Sequence, residues 1–207
     1  MQDVMCDLET LGNSAGCAIL SIGAVAFDPE TGELGEEFYK VVNTSSCVVA
    51  GLAYDQDTLD WWKKQSPEAR QVLRDANHPD SAPLIKALHE FSRYLHAACG
   101  GKAVRLWGNG ADFDNPILAT AYKRCRIETP WKFWDSRCYR TLKNLHPDVP
   151  LPKRTGTHHN ALDDAKTQAE HALLIFAQRL KALQMIGDVV DRVAAIIDVL
   201  EEPDLIG

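Results

Sequence analysis

Three apolar runs crowd the first 42 residues, and after them strand-like text almost disappears. Met1 to Leu8 reads as one strand. Ile19 to Phe27 and the alternating Phe38 to Val42 flank Asp28-Pro29-Glu30-Thr31-Gly32, whose turn residues join them as a hairpin. The result is a three-stranded antiparallel start, and one short later run, "KAVRLWG", is left to extend it before Gly108-Asn109-Gly110. The rest is helical in spacing. Asp57 to Ala76 reads as helix with a restart at Ser66-Pro67, Ser66 as cap. Ser81 to Ala98 sets Leu84, Leu88, Phe91 and Leu95 on one face. Ile117 to Arg124, Ser136 to Leu145 and Asn160 to Leu183 are further helices. The pattern predicts an α/β fold, a mixed sheet flanked by helices. A tail from Ile186 to Leu200 carries Val189, Val190, Val193, Ile196, Ile197 and Leu200 at helical spacing. It is expected to pack on the domain, with a homodimer contact as the alternative.

No repeat, low-complexity tract or linker interrupts the 207 residues, so one domain is expected over 1–207, with its core at 3–183 and the tail helix at 186–200. No apolar run is long enough to span a membrane and the start has no secretory pattern, so no membrane partner and a cytoplasmic location are expected. The six cysteines form no C-x-x-C pair and read as free thiols and small core residues. A net charge of −7 argues against a basic surface that grips long nucleic acid, though not against a site that holds a short end.

Against that background the end of the first run stands out. In "VMCDLETLG" an extended backbone turns Asp7 and Glu9 to the same side, a few Å apart. Two like charges so placed call for something positive between them, and a hard divalent cation is the simplest candidate. A solvated strand end is the ordinary alternative.

Two other segments offer partners. In "WGNGADFDNPIL", Pro116 suits the first turn of a helix and makes Asn115 its expected cap, which leaves Asp114 just outside and free to face the strand ends. Asp112 is its rival, and a favourable charge near the helix's positive end is the plain reading of either. In "THHNALDDAKTQAEHALL", His159 and Asp164 are five residues apart, roughly 140° around a helix. They serve one site only if His159 precedes the helix. An aspartate fixed on a helix suits a metal, and a histidine on the entering loop suits proton transfer. Otherwise Thr157 or Asn160 caps the helix and both histidines are exposed.

"DLET" with "SIGAV", then "FDNPIL", then "HNALDDA", in that order, resembles the DEDDh exonucleases, the DnaQ-like 3′-5′ exonucleases of the RNase H-like fold. The resemblance spans residues 3 to about 180, and the motifs are short singly but specific together. Within the superfamily the text is most similar to phage and prophage exonuclease VIII-like proteins and to Rv2179c-like exoribonucleases. The resemblance implies two cations, Mg²⁺ or Mn²⁺, about 4 Å apart on Asp7, Glu9, Asp114 and Asp164. It implies His159 as general base, and release of nucleoside 5′-monophosphates from 3′ ends of single-stranded DNA or RNA. Hydrolysis of short oligonucleotides, or a nucleic-acid-binding module that has lost catalysis, are the alternatives.

Trp61 and Trp62 are adjacent, so on a helix they point about 100° apart and only one is fully buried by one face. The other is free to stack on a base. The resemblance implies such a role for a Trp and for Gln65, and contact of Thr10 and Leu11 with the terminal nucleotide.

Overall fold

The computed structural model describes residues 1–201, with side chains described to residue 195. Its five strands are β1 (Asp3–Thr10), β2 (Ile19–Asp28), β3 (Glu33–Val41), β4 (Arg105–Gly108) and β5 (Ser136–Cys138), in spatial order β3-β2-β1-β4-β5. The β1–β2 and β2–β3 pairs are antiparallel, whereas β1–β4 and β4–β5 are parallel. The antiparallel start and mixed sheet are as the sequence predicts. The helices are α1 (Thr44–Val49), α2 (Gln56–Lys63), α3 (Gln71–Ala76), α4 (Leu84–Ala98), α5 (Asp114–Arg124), α6 (Tyr139–Leu145) and α7 (Ala161–Glu201).

Two apolar cores sandwich the sheet. Leu8, Ile22, Ala24, Leu88, Phe91 and Leu118 belong to the larger, together with residues of α1 to α5. Met5, Val25, Phe27 and Trp107 meet α7 on the other side through Ala165, Ala169 and Ala172. The alanines let α7 lie close. Closest of all is its first residue: a Cβ on Gly23 would stand 2.1 Å from the backbone carbon of Ala161, so only glycine fits there. Gly23 pairs with Asp7 across the β1–β2 ladder, and this contact therefore sets the start of α7 directly beside the β1 carboxylates.

Several boundaries differ from the sequence expectation. β1 runs two residues further, so that Glu9 as well as Asp7 lies inside the strand, and the ladder register shifts between Glu9 and Thr10. Such bulges re-aim the side chains next to them. Ser66 accepts from the Ala69 N–H, but only a turn forms and helix resumes at Gln71. Ser81 does not open α4, because its hydroxyl is taken by Asn43 and the His78 carbonyl, and the helix begins at Leu84. Ser136 to Cys138, expected as helix, pairs with Leu106 to Gly108 as β5; three residues are too few to show alternation.

The tail is not a separate helix. α7 runs 41 residues without a break, and Leu183, Ile186, Val189, Val190 and Val193 are exposed rather than packed on the domain. The side chains of Ile196, Ile197 and Leu200 lie outside the described residues. No described helix is long and apolar enough to cross a membrane.

Candidate active site

Strand β1, helix α2 and the start of α7 enclose a cavity of about 610 Å³ lined by Asp7, Glu9, Thr10, Trp61, His159 and Asp164 among others. Strand alternation supplies the first two. Asn160 supplies the last: its side-chain oxygen accepts from the Leu162 and Asp163 N–H groups, so it caps α7 and leaves His159 outside the helix. His159 takes the left-handed backbone conformation, φ 61°, and the turn it makes carries its ring back over the carboxylates. Ligand atoms of Glu9, His159 and Asp164 lie within 4.8 Å of one another. Three residues from two distant parts of the chain thus converge on a space of ionic dimensions.

Asp114 sits differently from the expectation. It is the first residue of α5 rather than outside it, because the Asn115 amide donates to the Leu106 carbonyl instead of capping the helix. Its carboxylate is fully buried, accepting from Leu8 N–H at 3.1 Å and Asn109 N–H at 2.6 Å, and it does not line the cavity. Each oxygen retains a further lone pair. It stands close enough to raise the pKa of both β1 carboxylates. Its rival Asp112 is exposed in the turn before the helix and does not line this cavity.

The electrostatics are those of crowded carboxylates in a dry wall. Burial, then the Asp114 and Glu9 charges, push Asp7 well above the usual range. Burial, then Asp114, lift Glu9 to about 8, and burial lifts Asp114 to about 6 despite its backbone hydrogen bonds. His159 is driven the other way, to about 4, by burial, then by His158 and Arg154. It is a neutral imidazole at pH 7. Hard oxygen donors, mutual repulsion and a neighbouring neutral imidazole together suit divalent cations, so the residues present fit such a group.

A stability prediction follows from these shifts. The protonated form of Glu9 favours the fold fully below its ordinary pKa near 4.5, and that contribution is lost as pH rises through about 8; Asp114 behaves likewise through about 6. In chelator, the melting temperature of the protein is expected to fall between about pH 5 and 8. Glu9→Gln should flatten the slope, and Mg²⁺ should raise the melting temperature more at the upper end than the lower. Scanning fluorimetry across pH checks this; a slope that Glu9→Gln leaves unchanged would be the contrary result.

Trp61 and Trp62 divide as their spacing predicts. Trp62 is buried and donates its indole N–H to the Thr10 carbonyl at 2.9 Å, tying α2 to the end of β1. Trp61 is 41% exposed at the cavity mouth, its ring edge-on to His159 with centroids 4.8 Å apart. Thr10 lines the cavity, but Leu11 does not: it is buried in the larger core, its backbone bonded to Ala18 and Asp55. Gln65 also lies off the cavity, its amide turned back to the Trp61 carbonyl at the end of α2.

Several cavity residues escaped the sequence reading, four polar ones near the carboxylates and the loop among them. Arg154 pairs with Asp164, and Tyr139, Lys143 and Gln168 line the wall. Gln168 had a signal, lying four residues after Asp164 and so on the same helix face. Arg154 sits in a loop, where no periodicity marks it.

The fold and cavity have counterparts among known proteins. The chain is 29% identical to the exodeoxyribonuclease of Enterobacteria phage T4, with 75% of this chain and 79% of that one covered. Its structure is similar to the nuclease domain of 3′hExo, a DEDDh family member bound to rAMP, with a TM-score of 0.56, 16% identity and coverage of 85% and 92%. It is also similar to exonuclease X in complex with 5′-overhanging duplex DNA, with a TM-score of 0.54, 16% identity and coverage of 85% and 92%. These neighbours share the RNase H-like fold. The family model of the Rv2179c-like 3′-5′ exoribonuclease domain matches residues 2–176, a span that holds all five strands and the cavity lining. The chain belongs to that family, and it is a metal-dependent 3′-5′ exonuclease.

Proposed function

We propose that the protein removes nucleotides one at a time from the 3′ end of single-stranded DNA or RNA, releasing nucleoside 5′-monophosphates. Asp7, Glu9, Asp114 and Asp164 hold two cations, Mg²⁺ or Mn²⁺. Bound there, such cations lower the pKa of a water nucleophile and neutralise charge on the leaving 3′-oxygen. His159, neutral and poised at the cavity rim, accepts the proton of the attacking water. Thr10 and the exposed ring of Trp61 hold the terminal nucleotide. The observation that carries this reading is the convergence of Glu9, His159 and Asp164 within 4.8 Å, in a cavity whose mouth presents an aromatic ring. The phage T4 relative is an exodeoxyribonuclease and the family is named for an exoribonuclease, which supports substrates of either sugar.

Digestion of 3′- and 5′-labelled single strands of DNA and RNA tests it. Mononucleotides are expected from the 3′-labelled strand at once, with a descending ladder from the 5′-labelled strand and no cleavage in EDTA. Cuts in a circular single strand would contradict it. Trp61→Ala is expected to raise KM about 5- to 150-fold, the equivalent of about 1–3 kcal/mol of base stacking, with a smaller change in kcat. An unchanged KM would remove Trp61 from the substrate surface.

Self-association is part of the same reading. The exposed stripe of α7 includes Ile186, Val190 and Val193. An antiparallel pair of these helices with its twofold axis near Val190 covers that apolar stripe on both copies. Light scattering should give a dimer that Val190→Glu converts to monomer.

A further inference from the structure

Each carboxylate of a metal site needs something to hold its orientation before the cation arrives. Asp114 is held by two backbone N–H groups and Asp164 by Arg154. Asp7, projecting from a strand, has neither. Among the described residues, the side-chain donor that reaches it is Gln168, whose Nε2 gives a hydrogen bond of 2.7 Å to Asp7 Oδ1. Gln168 stands one turn after Asp164 on α7, is 7% exposed and lines the cavity. The other end of the same amide has no partner among the described residues, as is also true of Asn109 Oδ1 and Asn115 Oδ1. Of these three amides Gln168 is the one whose donor holds a β1 carboxylate. Oε1 is buried and receives no hydrogen bond from any described residue. A buried amide that satisfies its donor and leaves its acceptor open is costly unless a further donor is present when the site is working.

We propose that Gln168 is a positioning residue of the metal site. Its Nε2 fixes the Asp7 carboxylate, and its Oε1 accepts from a water in the shell of the bound cation. One planar amide thereby links a ligand of β1 to the helix that carries Asp164, and sets the spacing between them. Gly23 makes this reach feasible by letting α7 start against β2 beside Asp7.

The inference rests on the metal-site reading above, and the two are separable by experiment. Mn²⁺ binding is measured by titration calorimetry on wild type, Gln168→Met and Gln168→Ala, with melting temperatures in chelator and kcat and KM on a 3′-labelled strand. Met keeps the length without either amide group, and Ala serves if Met packs badly. The expected result is Mn²⁺ affinity weakened about 10- to 100-fold, a melting temperature in chelator close to wild type, an unchanged KM and a lowered kcat that added Mn²⁺ partly restores. Wild-type Mn²⁺ affinity in both variants, or a loss confined to melting temperature, would overturn the role of Gln168 alone. Failure of wild type itself to bind Mn²⁺ would overturn the metal-site reading, and this inference with it.

Discussion

Asp7→Ala and Asp164→Asn are each expected to lower metal-dependent cleavage by about 10³-fold or more, since several kcal/mol of charge stabilisation in the transition state depends on an intact cation site. The fold should survive both. Asp7 faces the cavity and stands under repulsion from Asp114 and Glu9, so its removal relieves strain in the metal-free protein rather than opening a hole in the core. Melting temperature in chelator should therefore hold or rise while activity disappears, a familiar separation of stability from function at charged sites. Paired measurements of turnover and melting temperature on each variant check this. An Asp7→Ala enzyme with undiminished activity would remove β1 from the chemistry.

The second large effect separates two adjacent histidines. His159 follows His158 in the same loop and their rings lie 4.0 Å apart, yet only His159 has a ligand-type atom grouped with Glu9 and Asp164. A general base contributes about 10²- to 10⁴-fold, so His159→Ala should lower kcat by about that factor, and His158→Ala far less. Mn²⁺ affinity distinguishes proton transfer from ligation: it should be largely retained in His159→Ala. Equal losses from the two variants would make the loop merely structural, and a lost Mn²⁺ affinity would make His159 a ligand. The loop that presents these rings is itself held, because Asp163 accepts from the Thr157 N–H and presses on Gly156, where a side chain would collide with the carboxylate.

Much of this could be read from the chain because the informative features are local. Strand alternation places Asp7 and Glu9 on one side whatever lies around them, and helical spacing keeps Trp61 and Trp62 on different faces. The third motif is equally local, since an Asn at the cap places His159 before the helix and Asp164 within it. The sequence was least informative where tertiary contact decides. Asn115 is a good cap by chemistry, but its amide is spent on Leu106 in β4, and so Asp114 enters the helix. Leu11 follows the strand that carries Asp7 and Glu9, but the bulge after Glu9 turns it to the core. β5 exists only because Leu106 to Gly108 offers it an edge. Arg154, far from Asp164 in any periodicity, meets it through the path of a loop.

The central claim is that four carboxylates from β1, α5 and α7 hold two divalent cations at one end of the sheet. Anomalous scattering from crystals of the protein soaked in Mn²⁺ tests it directly. Two peaks are predicted in the cavity, both within coordination distance of carboxylate oxygens, about 2.0–2.6 Å, drawn from Asp7, Glu9, Asp114 and Asp164, with Gln168 Oε1 in the next layer outward. Peaks at other residues, or a cavity without manganese in crystals whose dissolved protein is active, would contradict it.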